Sequence, residues 1–497
     1  MGKEEWKGER LYEQRFFYRV YFETSAVVQY GIEEILDTLQ RAQVNKIMFS
    51  AHDPWGSEFQ FHDEYYRFTR LRPQRSEFSI QHGVEDMLGQ VCEAAAKRGM
   101  QVYAHDLAYE CATPDYWPAE GGSDISRRIL RNFTACSQID IFGRKNFRVC
   151  TNNPDYIQFY LSLIEDQLRN YPIEGIKINF ERNGPLSSVL VGNYPATFHY
   201  RKPLAPVCFC PHCLAKARER GINIERAKEG WMELLRFSEK SWEAARRKGD
   251  SFAGGQGTLT SPTDTTPPPD GYFITFLRIL MKYPEILQWN QMWYDSLQSL
   301  YAQIYGVVKM ISPERKLGIH VWHHRDFSIF ERAMYDYGEM KRYADWIKPK
   351  TDPTCAGFRF HQDVRRYAQA LFSDQELRRA YECWCTLLGW NFEAEYEELP
   401  EKGMSMGYLR RNVQTAVQAV NHEVPIYPGI GIDMPSPAKA YTPEIIRESL
   451  ITAYQAGASG VLLCRNYLEM KKENILAAGK AIEEIKRDIA ARKQPSL

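Results

Sequence analysis

The chain has 497 residues, 44% of them hydrophobic, and its 63 basic side chains are matched by 63 acidic ones. A chain of this size can bury a large core, and zero net charge argues against a general surface for nucleic acid or anionic membrane, where a basic excess does the electrostatic work. The sequence starts without an apolar run of signal-peptide length and has no stretch of about 18 apolar residues. We therefore expect a cytoplasmic protein without a membrane or nucleic-acid partner.

Strand-like runs alternate with amphipathic helices along the chain. The predicted strands are residues 16–22, 45–53, 100–106, 175–181, 316–324, 344–350, 424–433 and 460–467. Such alternation is typical of a parallel sheet, and eight units in roughly 250 residues of scaffold predict an α/β fold of the (β/α)8 TIM barrel class. The competing architecture, an open doubly wound sheet, needs a Gly-rich phosphate loop after the first strand, and residues 21–27 offer none.

Two stretches exceed what the barrel needs, and we interpret them as insertions. The first, residues 186–275, follows strand 4 and contains a Gly-, Ser-, Thr- and Pro-rich run at 249–270 that predicts a mobile loop. The second, residues 351–405, follows strand 6 and contains a predicted helix. Both leave the carboxyl ends of strands, the functional face of a TIM barrel. The whole chain, 1–497, is predicted to be one domain.

The fourth strand shows how polar residues are placed inside the predicted barrel. In the run GIKINFE, residues 175–181, apolar side chains fall on one side and Lys177, Asn179 and Glu181 fall on the other. A barrel strand turns one side to the helices and the other to the lumen, so we expect these polar residues to face the lumen, with Glu181 at its mouth.

Strand 7 repeats this arrangement with smaller residues. Gly429 and Gly431 are predicted to face inward below Asp433. Because glycine has no side chain, we expect these two positions to leave room for a ligand just under the Asp433 carboxylate.

Other strands end in ionisable, amide or indole side chains at the same end of the predicted barrel. An Asp or a Glu directly after a strand is often only the cap of the next helix, but capping does not favour so many His, Arg and Trp residues. We therefore predict an active site there. The strand-end residues are His52, Asp53, His105, Asp106, His320, Trp322, His323, His324, Arg465, Asn466 and Glu469.

Glu181 and Asp433 are predicted to lie across the lumen from each other. Two facing carboxylates suit glycosidic bond cleavage, in which one group protonates the leaving oxygen and the other serves the opposite face of the sugar. The acid and base roles stay open, because Arg182 and Lys177 favour the ionised form of Glu181. The predicted substrate-binding residues are His52, Asp53, Trp55, Asp106, Arg182, Asn183, His320, Trp322, His323, His324, Arg465 and Glu469.

Two other functions fit the same residues. A divalent-metal-dependent sugar isomerase, epimerase or lyase, including one that acts on keto-sugars, could hold a catalytic ion with His52, Asp106, Glu181 and His320. A barrel without activity could serve as a sugar-binding module. In each case the expected partner is a small-molecule, oligosaccharide or glycoside ligand, and a homo-oligomer is compatible with the sequence.

A separate cysteine cluster lies in the first insertion. Cys208, Cys210 and Cys213 form a C-x-C-x-x-C arrangement that brings three thiolates within reach of one ion. A closed zinc site needs a fourth ligand, and Cys150 is preferred over His212, which is constrained between a proline and a cysteine. We expect a structural zinc that fastens the insertion to the barrel rim; the alternative is three buried thiols in a tight turn.

These motifs resemble those of a known enzyme family. The strand-4 Glu181, the CFCPHC run that starts 27 positions later and the earlier CTNNPDY run resemble family 42 of the glycoside hydrolases, the microbial beta-galactosidases, and other clan-A barrels. Most of residues 45–480, including YPGIGID and AGASGVLLCRNYLEM, is similar to bacterial glycoside-hydrolase-like barrels of unassigned substrate. The resemblance implies that Glu181 is the acid/base and that the four cysteines bind zinc.

The chain departs from this family at both carboxylates. Clan-A enzymes have Asn-Glu at the end of strand 4, whereas here Asn179 precedes Glu181 by two positions. They also end strand 7 with a Glu nucleophile, where this chain has Asp433. A double-displacement mechanism is therefore open to question, and inverting hydrolysis or another sugar chemistry stays open.

Overall fold

A computed structural model describes residues 17–53, 56–107, 132–180, 183–191, 206–247, 266–434, 436–438, 440–464 and 466–492. Within these residues eight parallel strands form the predicted (β/α)8 barrel. The strands are β1 (Phe17–Phe22), β2 (Lys46–Asp53), β3 (Gln101–Leu107), β4 (Gly175–Asn179), β5 (Lys316–Val321), β6 (Trp346–Pro349), β7 (Gly429–Gly431) and β8 (Gly460–Cys464).

Each strand pairs with its neighbour in chain order, and β8 returns to pair with β1. The seam between β6 and β7 is held by isolated parallel bridges, Ile347 to Ile426 and Lys350 to Gly429. The barrel is therefore nearly closed, and the carboxyl ends of all eight strands meet at one mouth.

Helices connect the strands and form the layers around them. In chain order they are α1 (Thr24–Tyr30), α2 (Ile32–Arg41), α3 (Glu77–Gln81), α4 (Met87–Ala96), α5 (Pro154–Asn170), α6 (Pro185–Leu190), α7 (Pro211–Glu219), α8 (Ile224–Arg247), α9 (Gly271–Lys282), α10 (Glu285–Ile311), α11 (His324–Phe327), α12 (Ile329–Met334), α13 (Tyr337–Met340), α14 (Pro353–Leu371), α15 (Leu377–Leu388), α16 (Leu399–Lys402), α17 (Met406–Ala419), α18 (Pro443–Gln455) and α19 (Lys472–Arg492).

Shorter elements complete the described chain. Gly56–Ser57 pairs antiparallel with β2, and Ser137–Ile139 pairs antiparallel with Lys145–Val149. Single turns of 3₁₀-helix are formed by Asp63–Tyr66, Thr134–Cys136, Lys341–Tyr343, Tyr396–Glu398 and Tyr467–Glu469.

Helix α5 illustrates how local sequence sets an element. Asn153 precedes it, and its side chain accepts hydrogen bonds from the backbone N–H groups of Asp155 and Tyr156, while Pro154 occupies the first turn. A side-chain cap and an N-terminal proline both favour a helix start at this point. The helix then buries an aromatic and aliphatic face that includes Phe159.

Two buried clusters lie outside the lumen. One fills the space between the barrel strands and the surrounding helices. The other is built from segments of both predicted insertions, including α8 and α15. The mobile loop predicted at 249–270 lies, as far as residue 265, outside the described residues. None of the helices described is long and apolar enough to cross a membrane.

Candidate active site at the mouth of the barrel

The lower lumen is filled by side chains. The guanidinium carbon of Arg19 lies 3.7 Å from the ring centroid of Tyr427, 4.9 Å from that of Trp346 and 5.6 Å from that of Tyr103. Cation–π contacts of this kind stabilise a buried guanidinium. This plug closes the lumen toward the amino ends of the strands, so a ligand site belongs at the opposite end.

Above the plug, four polar side chains, which we call the lumen group, converge from four neighbouring strands. Lys177, His105, His320 and Lys348 are each no more than 5% exposed. Lys177 Nζ lies 3.4 Å from His105 Nδ1, and the His105 ring packs edge-on against Tyr21 with centroids 5.3 Å apart. Burial, followed by the nearby charge of Lys177, holds the pKa of His105 well below its usual value, so this imidazole is neutral at pH 7.

Gly429 and Gly431 do not leave an empty space in the lumen. A Cβ built on Gly429 would lie 2.4 Å from Lys348 Cε and 2.7 Å from Cys464 Sγ. A Cβ built on Gly431 would lie 1.9 Å from Asp352 Oδ2. The prediction that these glycines make room for a ligand was therefore wrong, because they make room for side chains of β6 and of the segment after it.

Asp352 is a carboxylate at this mouth that sequence reasoning missed. It is 1% exposed and follows β6 directly before α14. Its Oδ1 accepts a hydrogen bond from the Tyr441 hydroxyl at 2.7 Å, and its Oδ2 has no hydrogen-bond partner among the described residues. An Asp before a Pro at a helix start is typical of a cap, and no local pattern signals the contact with Gly431.

Asp433, the predicted second carboxylate, has structural contacts. It is half-buried and has a positive φ of 52°. Its Oδ2 accepts a hydrogen bond from the backbone N–H of Lys471 at 2.8 Å, and its Oδ1 accepts one from Asn474 Nδ2 at 2.8 Å. The carboxylate thus binds the amino end of α19, where negative charge is favourable. Its catalytic role stays a prediction, which these contacts do not favour.

Glu23 is a second carboxylate that sequence reasoning missed, although its signal was an acid directly after a predicted strand. The Tyr21 hydroxyl donates to Glu23 Oε1 at 3.0 Å, and Asn466 Nδ2 donates to Oε2 at 2.6 Å. Burial, and then the Glu23 charge, raises the pKa of Tyr21 well above its usual value, so the phenol stays a donor. Glu23 lines a cavity of about 340 Å³ together with Ser50, Asp53 and Glu58.

Asp106 lies on the helix side of β3. Its Oδ1 accepts a hydrogen bond from Gln167 Nε2 of α5 at 2.9 Å. Burial raises the pKa of Asp106 to about 7. Its neighbour His105 takes the inward position, and successive strand side chains alternate. The substrate-binding role of Asp106 stays a prediction, which its contact with α5 does not favour.

His52 is also turned toward the helices. Its Nδ1 lies 2.9 Å from Ser57 Oγ, and its ring centroid lies 5.8 Å from that of Phe159 in α5. The pairing of β2 with β3 shifts register between Ser50 and His52, which breaks the strict alternation of sides. Burial lowers the pKa of His52 to about 3. His52 and the next residue, Asp53, both line the cavity described above.

The residues predicted at the end of β5 are divided between two places. His320 belongs to the lumen group. His323 is turned toward α14, where Arg359 Nη1 lies 3.2 Å from its Nδ1. The half-buried Trp322 packs edge-on against His323, with ring centroids 5.1 Å apart.

Asn183 and Glu469 are the remaining predicted residues whose side chains the structure describes. Asn183 is buried, and its Oδ1 has no hydrogen-bond partner within the described chain. Glu469 is half-buried in the turn after β8. Outside the described residues lie Glu181, Trp55, Arg182 and Arg465 and the side chain of His324, so their predicted roles stay predictions.

The structure brings the four predicted cysteines together. Cys150, Cys208, Cys210 and Cys213 are buried, and their sulfur atoms all lie within 4.8 Å of one another. Cys150 Sγ lies 3.5 Å from the sulfurs of Cys210 and Cys213. Four thiolates around a zinc ion with bonds of about 2.3 Å lie about 3.8 Å apart, close to these separations. The group can therefore hold one metal ion such as zinc.

Solved structures of other proteins are similar to this chain at low sequence identity. The beta-galactosidase of the psychrophilic Marinomonas ef1 is 11% identical with a TM-score of 0.51, over 96% of this chain and 60% of that one. Alpha-L-fucosidase isoenzyme 2 of Paenibacillus thiaminolyticus is 12% identical with a TM-score of 0.49, over 96% and 50%. The beta-amylase catalytic domain of Paenibacillus polymyxa is 11% identical with a TM-score of 0.47, over 96% and 99%.

The likeness to the beta-galactosidase, whose TM-score is 0.51, shows a shared fold and no more. The chain spans only about half to three fifths of the fucosidase and the beta-galactosidase. No protein-family model matches the sequence, and no curated protein gives a significant match.

Proposed function

We propose that this protein is a glycoside hydrolase whose active site is the mouth of the barrel lumen. The observation that carries the proposal is the convergence of Lys177, His105, His320 and Lys348 above the aromatic plug. Polar side chains that converge at the carboxyl ends of barrel strands lie where TIM-barrel enzymes act. The beta-galactosidase fold likeness is consistent with it.

Glu181 is the proposed acid/base. Asn179 is buried at the end of β4. The alternation in the sequence predicts the same side of the strand for Glu181, two positions later. In hydrolysis this group gives its proton to the leaving glycosidic oxygen as the carbon–oxygen bond breaks and water is added to the sugar. A second carboxylate has to serve the other face of the ring.

The lumen group is proposed to hold the sugar. A neutral imidazole such as His105 has one donor and one acceptor nitrogen, and a lysine ammonium has three donors. Sugar hydroxyls both donate and accept, so this mixture suits a ring with several of them. Glu23 and Asp53, which line the neighbouring cavity, offer carboxylate acceptors for a further part of the ligand.

The metal-dependent alternative has less support. Its ring of His52, Asp106, Glu181 and His320 requires all four side chains to meet in one place, but His52 and Asp106 contact α5 instead. Among the described residues, one group of His, Cys, Asp or Glu side chains is close enough to hold an ion, and it consists of the four cysteines. A tetrahedral four-thiolate site leaves no open position for a substrate, so we propose that its metal is structural.

A panel of aryl glycosides tests the proposed function. Release of the aryl alcohol from at least one glycoside is expected, and Glu181→Gln should lower kcat about 100-fold or more while the circular dichroism spectrum persists. The matched control is Glu165→Gln on the surface of α5, which should leave the rate unchanged. Equal rates for the two variants contradict the role of Glu181, and sugar binding without turnover by any glycoside supports the binding-module alternative.

A further inference from the structure

Two Asp residues approach the mouth near β7, and their surroundings differ. Asp433 has both oxygens occupied by Lys471 and Asn474 at the start of α19. Asp352 has one oxygen bonded to Tyr441, and the other, Oδ2, is buried and has no hydrogen-bond partner of good geometry among the described residues, although the weakly donating thiol of Cys355 lies beside the carboxylate. A buried carboxylate oxygen is expensive to leave unpaired, so Asp352 is held in an arrangement that requires an explanation.

The simplest structural explanation for Asp352 fails. Asp352 is at the N-cap position of α14, where an Asp usually accepts hydrogen bonds from the first backbone N–H groups of the helix. Its side chain makes no such bond. The carboxylate is turned instead toward Gly431, within 1.9 Å of the place where a Cβ would stand.

That place is on the lumen side of β7. The Cβ direction of Gly429 meets Lys348 Cε and Cys464 Sγ, and Cys464 belongs to the cluster inside the lumen with Trp346. Gly431 is two positions further along the strand, so it faces the same way, one level nearer the mouth. Asp352 Oδ2 therefore lies at the upper edge of the lumen.

We propose that Asp352, rather than Asp433, is the second carboxylate of the active site and faces the sugar ring. The inference rests on the proposed glycoside hydrolase function. Its chemical role is electrostatic: a carboxylate beside the ring stabilises the positive charge that develops on the sugar as the glycosidic bond breaks. The Met434 sulfur lies 2.5 Å from the same Gly431 Cβ position, so this flexible side chain lies beside the Asp352 carboxylate.

Paired isosteric variants test this inference. Asp352→Asn should lower kcat on the best aryl glycoside about 100-fold or more, and it should weaken binding of cationic iminosugars, measured by calorimetry, at least tenfold. Asp433→Asn should keep kcat within about threefold of the wild type and lower the thermal midpoint, because the amino end of α19 loses a negative charge. Formate, a small external carboxylate, should partly restore the rate of Asp352→Ala. No such rescue is expected if the Asp352 carboxylate has only a structural role.

The outcomes separate the two proposals. If the wild type hydrolyses a glycoside and Asp352→Asn is equally active, the inference is overturned and the proposed function stays intact. The same holds if Asp433→Asn, while folded, loses activity and Asp352→Asn does not. Iminosugar binding by the wild type but not by Asp352→Asn, without hydrolysis of any glycoside, shows that Asp352 faces the bound sugar but overturns the hydrolase and, with it, the catalytic role of Asp352. Absence of both binding and hydrolysis in the wild type overturns both. If Asp352→Asn does not fold, formate rescue of Asp352→Ala decides, and no rescue in folded protein counts against the inference.

Discussion

At the scale of single residues, Asp106 links stability to pH. Its carboxyl group is enclosed between β3 and α5, and burial raises its pKa from 3.8 to about 7. The folded state therefore keeps the proton up to about pH 7, whereas the unfolded state loses it near pH 4. Between these values the folded state binds more protons than the unfolded state, so stability falls as pH rises.

Replacing Asp106 by Asn should remove this pH dependence. The pKa difference of about 3 corresponds to about 4 kcal/mol, which is the expected loss of wild-type stability relative to the variant from pH 4 to pH 8. Asn keeps an oxygen to accept the hydrogen bond from Gln167. Urea unfolding of both proteins at several pH values measures the difference, and parallel stability curves for the two proteins would contradict the proposed titration.

At the scale of secondary-structure elements, replacement by alanine should have opposite effects on stability at two glycines. In β5, a Cβ on Gly318 would lie 2.0 Å from Cζ2 of Trp346, a rigid ring of the lumen plug. Gly318→Ala should therefore destabilise the fold by about 1–3 kcal/mol. In α10, a Cβ on Gly306 meets nothing within 4 Å, and Gly306→Ala should stabilise by about 0.5–1 kcal/mol. Urea unfolding checks both, and an unchanged Gly318→Ala would contradict the packing of the plug.

The cysteine group joins two elements that are distant in sequence. Cys150 precedes α5, and the other three cysteines lie at or near the start of α7. A metal ion bound by all four would tie the first insertion to the barrel and stabilise the folded state, since the unfolded chain cannot present the same site.

Metal removal should therefore lower thermal stability. We expect one zinc per chain by elemental analysis, a lower thermal midpoint after chelation, and loss of the zinc in Cys150→Ser. The matched control is Cys92→Ser, a buried cysteine of α4 outside the group, which should keep the zinc. Full zinc content in Cys150→Ser would exclude Cys150 as a ligand.

At the scale of the whole molecule, the fold was predictable because its signals are local. Each strand carries its own pattern, and strands that follow one another in the chain are also neighbours in the barrel. The inward direction of Lys177 follows from the same alternation.

The site was less predictable because its decisive contacts are not local. A register shift turned His52 away, and two consecutive residues such as His105 and Asp106 cannot both face the lumen. The contact of Asp352 with Gly431 joins segments far apart in the sequence, which no periodic pattern reveals.

The contact between the two insertions also joins segments that are far apart in the sequence. The insertions were predicted separately, but they pack together. Ser241 Oγ in α8 donates to the backbone oxygen of Gln369 in α14 at 2.5 Å. Trp384 of α15 stacks on Tyr367 of α14 with centroids 4.7 Å apart, and its indole N–H donates to the Phe327 oxygen at 2.7 Å. One buried cluster contains residues of all these helices. We therefore infer that the insertions form a single cooperative layer.

Trp384→Ala tests this cooperativity. The change removes a ring that is 1% exposed and should cost about 3–5 kcal/mol of the stability of the layer. Because the layer is shared, hydrogen exchange should accelerate in α8, in the other insertion, as well as in α14 and α15, while β2, β3 and β4 keep their protection. The matched control is Leu387→Ala in the same helix, where the side chain is 58% exposed and little change is expected. Faster exchange confined to α15 would show that the insertions are stabilised independently, whereas coupled exchange in α8 requires that the contacts through α14 transmit the loss.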